Sequence, residues 1–141
     1  MKIGKLGMSA VILTGLMTLF APAARAAEPA PAPKSYADAV KNIQDRMKSI
    51  DTAIKAGKFK DTHPDAEAII AVTKLLGELA LADGSGVPKD KVKEVNKSAK
   101  DLAEMTDMFH DAADAGKADE AKGHYDHMVK LVESISHHVT K

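Results

Sequence analysis

The sequence predicts an all-α protein, an up-down-up-down antiparallel four-helix bundle, on three observations. No stretch alternates apolar and polar residues with the period of two that a half-buried strand needs. Four stretches instead carry apolar residues at alternating spacings of three and four, in chain dominated by Ala, Lys, Glu, Asp, Leu and Met. A short repeat, "AIKAGKF" after the first of these stretches and "AADAGKA" after the third, marks two tight turns on either side of one longer loop. Short connections force neighbouring helices to run antiparallel, so two such hairpins make the bundle.

Two segments of another kind come first. Lys2 and Lys5, the apolar run from Met8 to Phe20, and Ala24-Arg25-Ala26 follow the order of a secretory signal peptide. Cleavage is expected after Ala26, with export to a bacterial periplasm. The apolar run is about 13 residues, short of the ~18 of a spanning helix, a retained anchor being the alternative. Residues 27–35, "AEPAPAPKS", are rich in Pro and Ala and read as an extended arm. The bundle is expected over 36–141.

Helix 1 is expected from about Ser35 to Ala56, with Val40, Ile43, Met47, Ile50 and Ile54 on one seam. Ser35 can cap its start, and Gly57 can supply the left-handed stop. After "KDTHPD", where Pro64 suits a first helical turn, helix 2 carries Ile69, Val72, Leu75, Leu76 and Leu79. "ADGSGVP" ends it. Helix 3 is expected from near Lys89, with Val92, Val95, Ala99, Leu102, Met105, Phe109 and Ala112 or Ala113 inside and Gly116 at its end. Helix 4 should bury Ala121, Tyr125, Met128, Leu131, Val132, Ile135 and Val139.

Composition narrows the chemistry. The chain has no cysteine, which excludes disulfides, Cys-based zinc sites, iron–sulfur clusters, thiol nucleophiles and thioether-attached haem. Its 20 basic and 20 acidic residues balance; losing Lys2, Lys5 and Arg25 with the leader leaves 17 against 20, a formal charge of −3. Interspersed charges of that kind give no footprint for nucleic acid or an anionic membrane. No Ser/His/Asp order with elbow glycines, HExxH, phosphate loop, EF-hand or paired Glu-x-x-His pattern is present, so no enzyme is expected.

The remaining candidates are a methionine and the histidines. Met47 lies in the seam of helix 1, as flexible core filler or as a soft axial ligand to haem iron. With Met128 at the centre of the buried face of helix 4, a rotation of about 100° per residue sets His138 some 80° to its flank and His137 opposite. His137 then suits solvent at a helix C-terminus, where a cation meets the dipole, while His138 can lean inward. "HYDHM" offers a second cluster. His124 and His127 are i,i+3 neighbours that can share Cu²⁺, Ni²⁺ or Zn²⁺ if Met105, Met108 or His110 on helix 3 adds a donor; surface decoration is the alternative.

Several stretches resemble one family. "DRMKSIDTAIK" (Asp45 to Lys55), "AVTKL" (Ala71 to Leu75) and "ADAGKADEA" (Ala113 to Ala121) are similar, in the same order, to helix 1, helix 2 and the turn into helix 4 of the periplasmic cytochrome b562 family. That family is among the up-down-up-down bundles. The resemblance implies one non-covalent haem b held between Met47 and a histidine late in helix 4. An ungapped extension from the Gly116 turn brings Ser136 to that second position, with His137 and His138 one and two residues on. The expected ligand is His138, then His137. The implied function is electron transfer with unnamed redox partner proteins, by a monomer, a dimer being the alternative, not inserted in the membrane. The alternatives are a haem-free bundle holding a transition metal through His124 and His127, and a cofactor-free structural bundle.

Overall fold

The computed structural model describes residues 31–139. The expected signal peptide and the first part of the arm fall outside the described residues. Four helices account for almost all of the regular structure: α1 (Tyr36–Lys55), α2 (His63–Leu81), α3 (Val92–Asp114) and α4 (Ala118–Ser136). A 3-10 turn, Phe59–Thr62, leads into α2. The described chain is 78% helical, with no strand among the described residues, and the helices pack against one another. None of these helices is long and apolar enough to cross a membrane.

The ends of the helices follow from local chemistry. Ser35 caps α1, its hydroxyl accepting from the Asp38 backbone N–H at 3.1 Å. Behind α1, Gly57 takes φ 69°, the Gly57 N–H donates to the Ile54 carbonyl at 2.9 Å and the Lys58 N–H to the Ala53 carbonyl at 2.8 Å. Behind α3 the pattern recurs, with Gly116 at φ 72°, its N–H on the Ala113 carbonyl and the Lys117 N–H on the Ala112 carbonyl. Both are Schellman ends, in which a left-handed glycine lets two N–H groups satisfy the last carbonyls. The Ala-Gly-Lys repeat is therefore one stop signal used twice.

Between α2 and α3 the chain folds on itself. The Ser85 hydroxyl donates to the Ala80 carbonyl at 2.8 Å and accepts from the Val87 N–H at 3.2 Å, while Val87 is buried. A turn closed by the Lys91 N–H on the Pro88 carbonyl (2.8 Å) delays α3, which starts at Val92 and not near Lys89.

The expected seams form most of the core. Val40, Ile43, Met47 and Ile50 are buried on α1, joined by Tyr36 and Ala39; Ile54 is only partly covered. On α2, Ala66, Thr73 and Ala80 are buried with Ile69, Val72 and Leu76, and Leu75 and Leu79 stand half-covered beside them. On α3, Thr106 takes the inside position and Met105 the flank. The burial costs little because the Thr106 hydroxyl donates to the Leu102 carbonyl at 2.7 Å. On α4, Ala121, Met128, Val132 and Ile135 are buried, with Tyr125 and Leu131, and Val139 past the end of the helix, packed against the core.

α3 lies against both α2 and α4 over long interfaces, α1 lies against α2, and α1 meets α4 over a much thinner one. Hydrogen bonds fix the register of that thin contact. The Tyr36 hydroxyl donates to the Ile135 carbonyl at 2.8 Å, Gln44 Nε2 to Ser136 Oγ at 2.9 Å, and the Tyr125 hydroxyl to the Met47 carbonyl at 3.1 Å. The start of α1 thus lies beside the end of α4. Arg46 ties α1 to α2 through Asp65 at 3.0 Å, both side chains about four-fifths covered.

Gly123 sits exposed inside α4, and a Cβ there would meet nothing within 4 Å. Gly123→Ala is therefore expected to raise stability by about 0.5–1 kcal/mol, since a mid-helix glycine gives up more backbone entropy than alanine. A urea midpoint equal to or below that of the parent would contradict it.

Candidate functional site

Where α1 and α4 part, a groove of about 390 Å³ opens between them. Met47 lines it with Val129, Val132 and Tyr125, and Gln44, Lys48, Asp51 and Glu133 make a polar rim. Met47 itself is 6% exposed, so its thioether is both core and groove wall. The rim is pinned by Tyr125, whose phenol is pushed up to about 12, first by burial and then by the charges of Asp51 and Asp126.

The terminal histidines lie away from this lining. α4 ends at Ser136, His137 is its C-cap and His138 follows in a turn. As the helical phase predicts, His137 is exposed and His138 partly covered. Their rings touch edge to face, with centroids 5.8 Å apart. Both lie near Glu94 at the start of α3, whose carboxyl is held below its usual range chiefly by a hydrogen bond from Lys91 and more weakly by His138 and His137. Ser136, the position that the ungapped extension reaches, is committed to Gln44 and to the Val132 carbonyl.

The "HYDHM" histidines separate. His127 lines a second groove, of about 430 Å³, together with Met105 and Met108. His124 is mostly covered and turns toward Glu120, with 4.0 Å between Nε2 and Oε1. His110 joins neither.

His110 faces His63 across the α2–α3 interface instead. His63 Nδ1 and His110 Nε2 are in direct hydrogen-bond contact, the rings tilted by 55° with centroids 4.3 Å apart. Asp114 Oδ2 lies 3.5 Å from His110 Nε2 and 3.7 Å from His63 Nδ1. Among the described residues this is the group of three His, Cys, Asp or Glu side chains whose ligand atoms converge.

No family model, characterised protein or solved structure matches the chain. The sites rest on their own geometry.

His63 and Asp114 are the residues that the sequence analysis did not single out. The α3 half of the cluster has a readable signal: His110 and Asp114 are i,i+4 neighbours on one helical face. The α2 half has none, because His63 is 47 residues away and meets them only through packing of the start of α2 on the end of α3.

Proposed function

We propose that the chain is an exported electron carrier resembling cytochrome b562, an up-down-up-down antiparallel bundle holding one non-covalent haem in the α1–α4 groove. The observation that carries this reading is Met47, a soft thioether at the wall of an apolar groove in the thinnest interface of the bundle. The contacts of Tyr36 with Ile135, and of His63 with His110, support alternating helix directions.

Three features of the groove suit the group. Met47 supplies a ligand that favours reduced iron. Val129 and Val132 supply apolar walls, and the Lys48 ammonium on the rim suits a propionate carboxylate. The second protein donor would have to come from beyond the groove lining: His138, five residues past Glu133, with His137 as the alternative. Met47 and His138 would hold the haem, which would supply one-electron exchange and leave no open position for substrate, so no turnover is expected. The chain's own residues exclude water, set the ligand field and present the rim to redox partner proteins.

The reading in which His124 and His127 hold a transition metal has less support. His127 shares a groove with Met105 and Met108, but His124 turns to Glu120 and His110 to His63. Haemin titration into the full chain distinguishes these readings. One equivalent should give a low-spin, six-coordinate spectrum on reduction, lost in His138→Ala and kept in His137→Ala. Absence of stoichiometric uptake would leave a bundle without haem.

A further inference from the structure

We propose that His63, His110 and Asp114 form a site for one divalent transition-metal ion, independent of the groove beside Met47. Nitrogen and oxygen donors about 2.0–2.1 Å from a tetrahedral ion are separated by about 3.3 Å. The two carboxylate-to-imidazole separations here, 3.5 and 3.7 Å, are already close to that edge. The third edge, between the two imidazole nitrogens, is shorter, and an ion parts two atoms that here touch directly.

A neighbouring carboxylate points the same way. His63 Nε2 lies 3.3 Å from Glu67 Oε1, one turn along α2. A carboxylate at that position holds the proton on Nε2 and leaves the Nδ1 lone pair aimed at the cluster, the outer-shell arrangement that orients metal-bound histidines. In that tautomer His110 Nε2 would donate to His63 Nδ1, and an ion taking both lone pairs would leave the His110 proton on Nδ1. Asp114, the last residue of α3, adds a negative oxygen at the negative end of that helix.

Backbone geometry prepares the site. His110 and Asp114 are held one turn apart on α3, and His63 is fixed at the first position of α2. The His63 and Asp114 side chains are 44% and 50% exposed and that of His110 19%, so an ion has an entry path and keeps water in its remaining position. Two imidazoles and one carboxylate suit Zn²⁺, Ni²⁺ and Cu²⁺, and suit Mg²⁺ or Ca²⁺ poorly.

The test is calorimetric titration of Zn²⁺ into the untagged, haem-free full chain. One ion per chain is expected, with His63→Ala and His110→Ala each weakening it by more than about tenfold while helix content by circular dichroism is kept. Glu67→Gln, which removes no ligand, should weaken it by about tenfold, an effect that a merely structural contact would not have. The His124→Ala, His127→Ala double variant should bind as the parent does. Co²⁺ gives an optical check, with d–d bands that vanish in His63→Ala. Zn²⁺ affinity unchanged in both His63→Ala and His110→Ala, or lost in the His124/His127 double variant, overturns the proposal.

Discussion

Met47→Ala is expected to lower the stability of the haem-free protein by about 2–5 kcal/mol, the range for truncating a buried methionine. Met47 is 6% exposed, between Ile43 and Ile50 on the α1 seam, and the groove beside it gives its neighbours nothing to collapse onto. Against a total of about 5–15 kcal/mol that is a large fraction, and a urea melt will register it directly. The same variant tests the ligand role. If the thioether holds iron, the haem-loaded variant loses its six-coordinate spectrum and its potential falls. If Met47 is core alone, the urea midpoint drops by the same amount and the spectrum of any bound haem stays as it was.

The second large effect is alkaline. Tyr36 is fully buried, its hydroxyl on the Ile135 carbonyl, and burial pushes its phenol from 10.0 up to about 12. Between those two values the unfolded tyrosine has given up its proton and the folded one has not. The folded state then holds more protons, so stability present below pH 10 is lost as the pH rises towards 12. At 1.36 kcal/mol per unit, Tyr36 alone accounts for about 2–3 kcal/mol, and the less covered Tyr125 adds a smaller loss over the same window.

Exposed lysines also act there. Lys41, Lys91 and Lys97 are raised by hydrogen bonds to Asp45, Glu94 and Asp101, and discharge with the same sign. Salt screens those surface pairs and leaves the buried phenol untouched. Urea midpoints from pH 9 to 12 in high salt should therefore still fall, and fall less steeply in Tyr36→Phe. At neutral pH that variant should lose about 1 kcal/mol, because the Ile135 carbonyl gives up its short bond and keeps only the long one, 3.4 Å, from the His138 N–H. Identical alkaline slopes in parent and variant would remove Tyr36 from the account.

What could be read from the sequence was whatever depends on near neighbours in the chain. Ser35 as cap, Gly57 and Gly116 as stops, and the seam Val40, Ile43, Met47, Ile50 all arise within one or two turns. The inward or outward phase of His137 and His138 follows from the same periodicity. The misplacements are just as local in cause. Hydrophobicity favours Met105 over Thr106, and a backbone carbonyl one turn back makes the threonine acceptable inside. The start of α3 slipped because Lys89, Asp90 and Lys91, which carry no strong non-helical signature, stay in the turn closed on the Pro88 carbonyl. The His63 cluster and the groove beside Met47 depend on which helices meet and how closely, and periodicity within one helix does not encode that.

The unequal interfaces around the ring have a kinetic side. α3 is clasped from two directions, whereas α1 is held by α2 and by a narrow strip of α4. Segments with fewer packed neighbours open at lower free energy than the whole domain unfolds. α1 is thus expected to open at the lowest free energy of the four, with the Arg46–Asp65 pair tying it to α2, and hydrogen exchange along α1 is the measurement that checks it. A group lodged against Met47 would touch both α1 and α4, and so would close the weakest seam of the bundle.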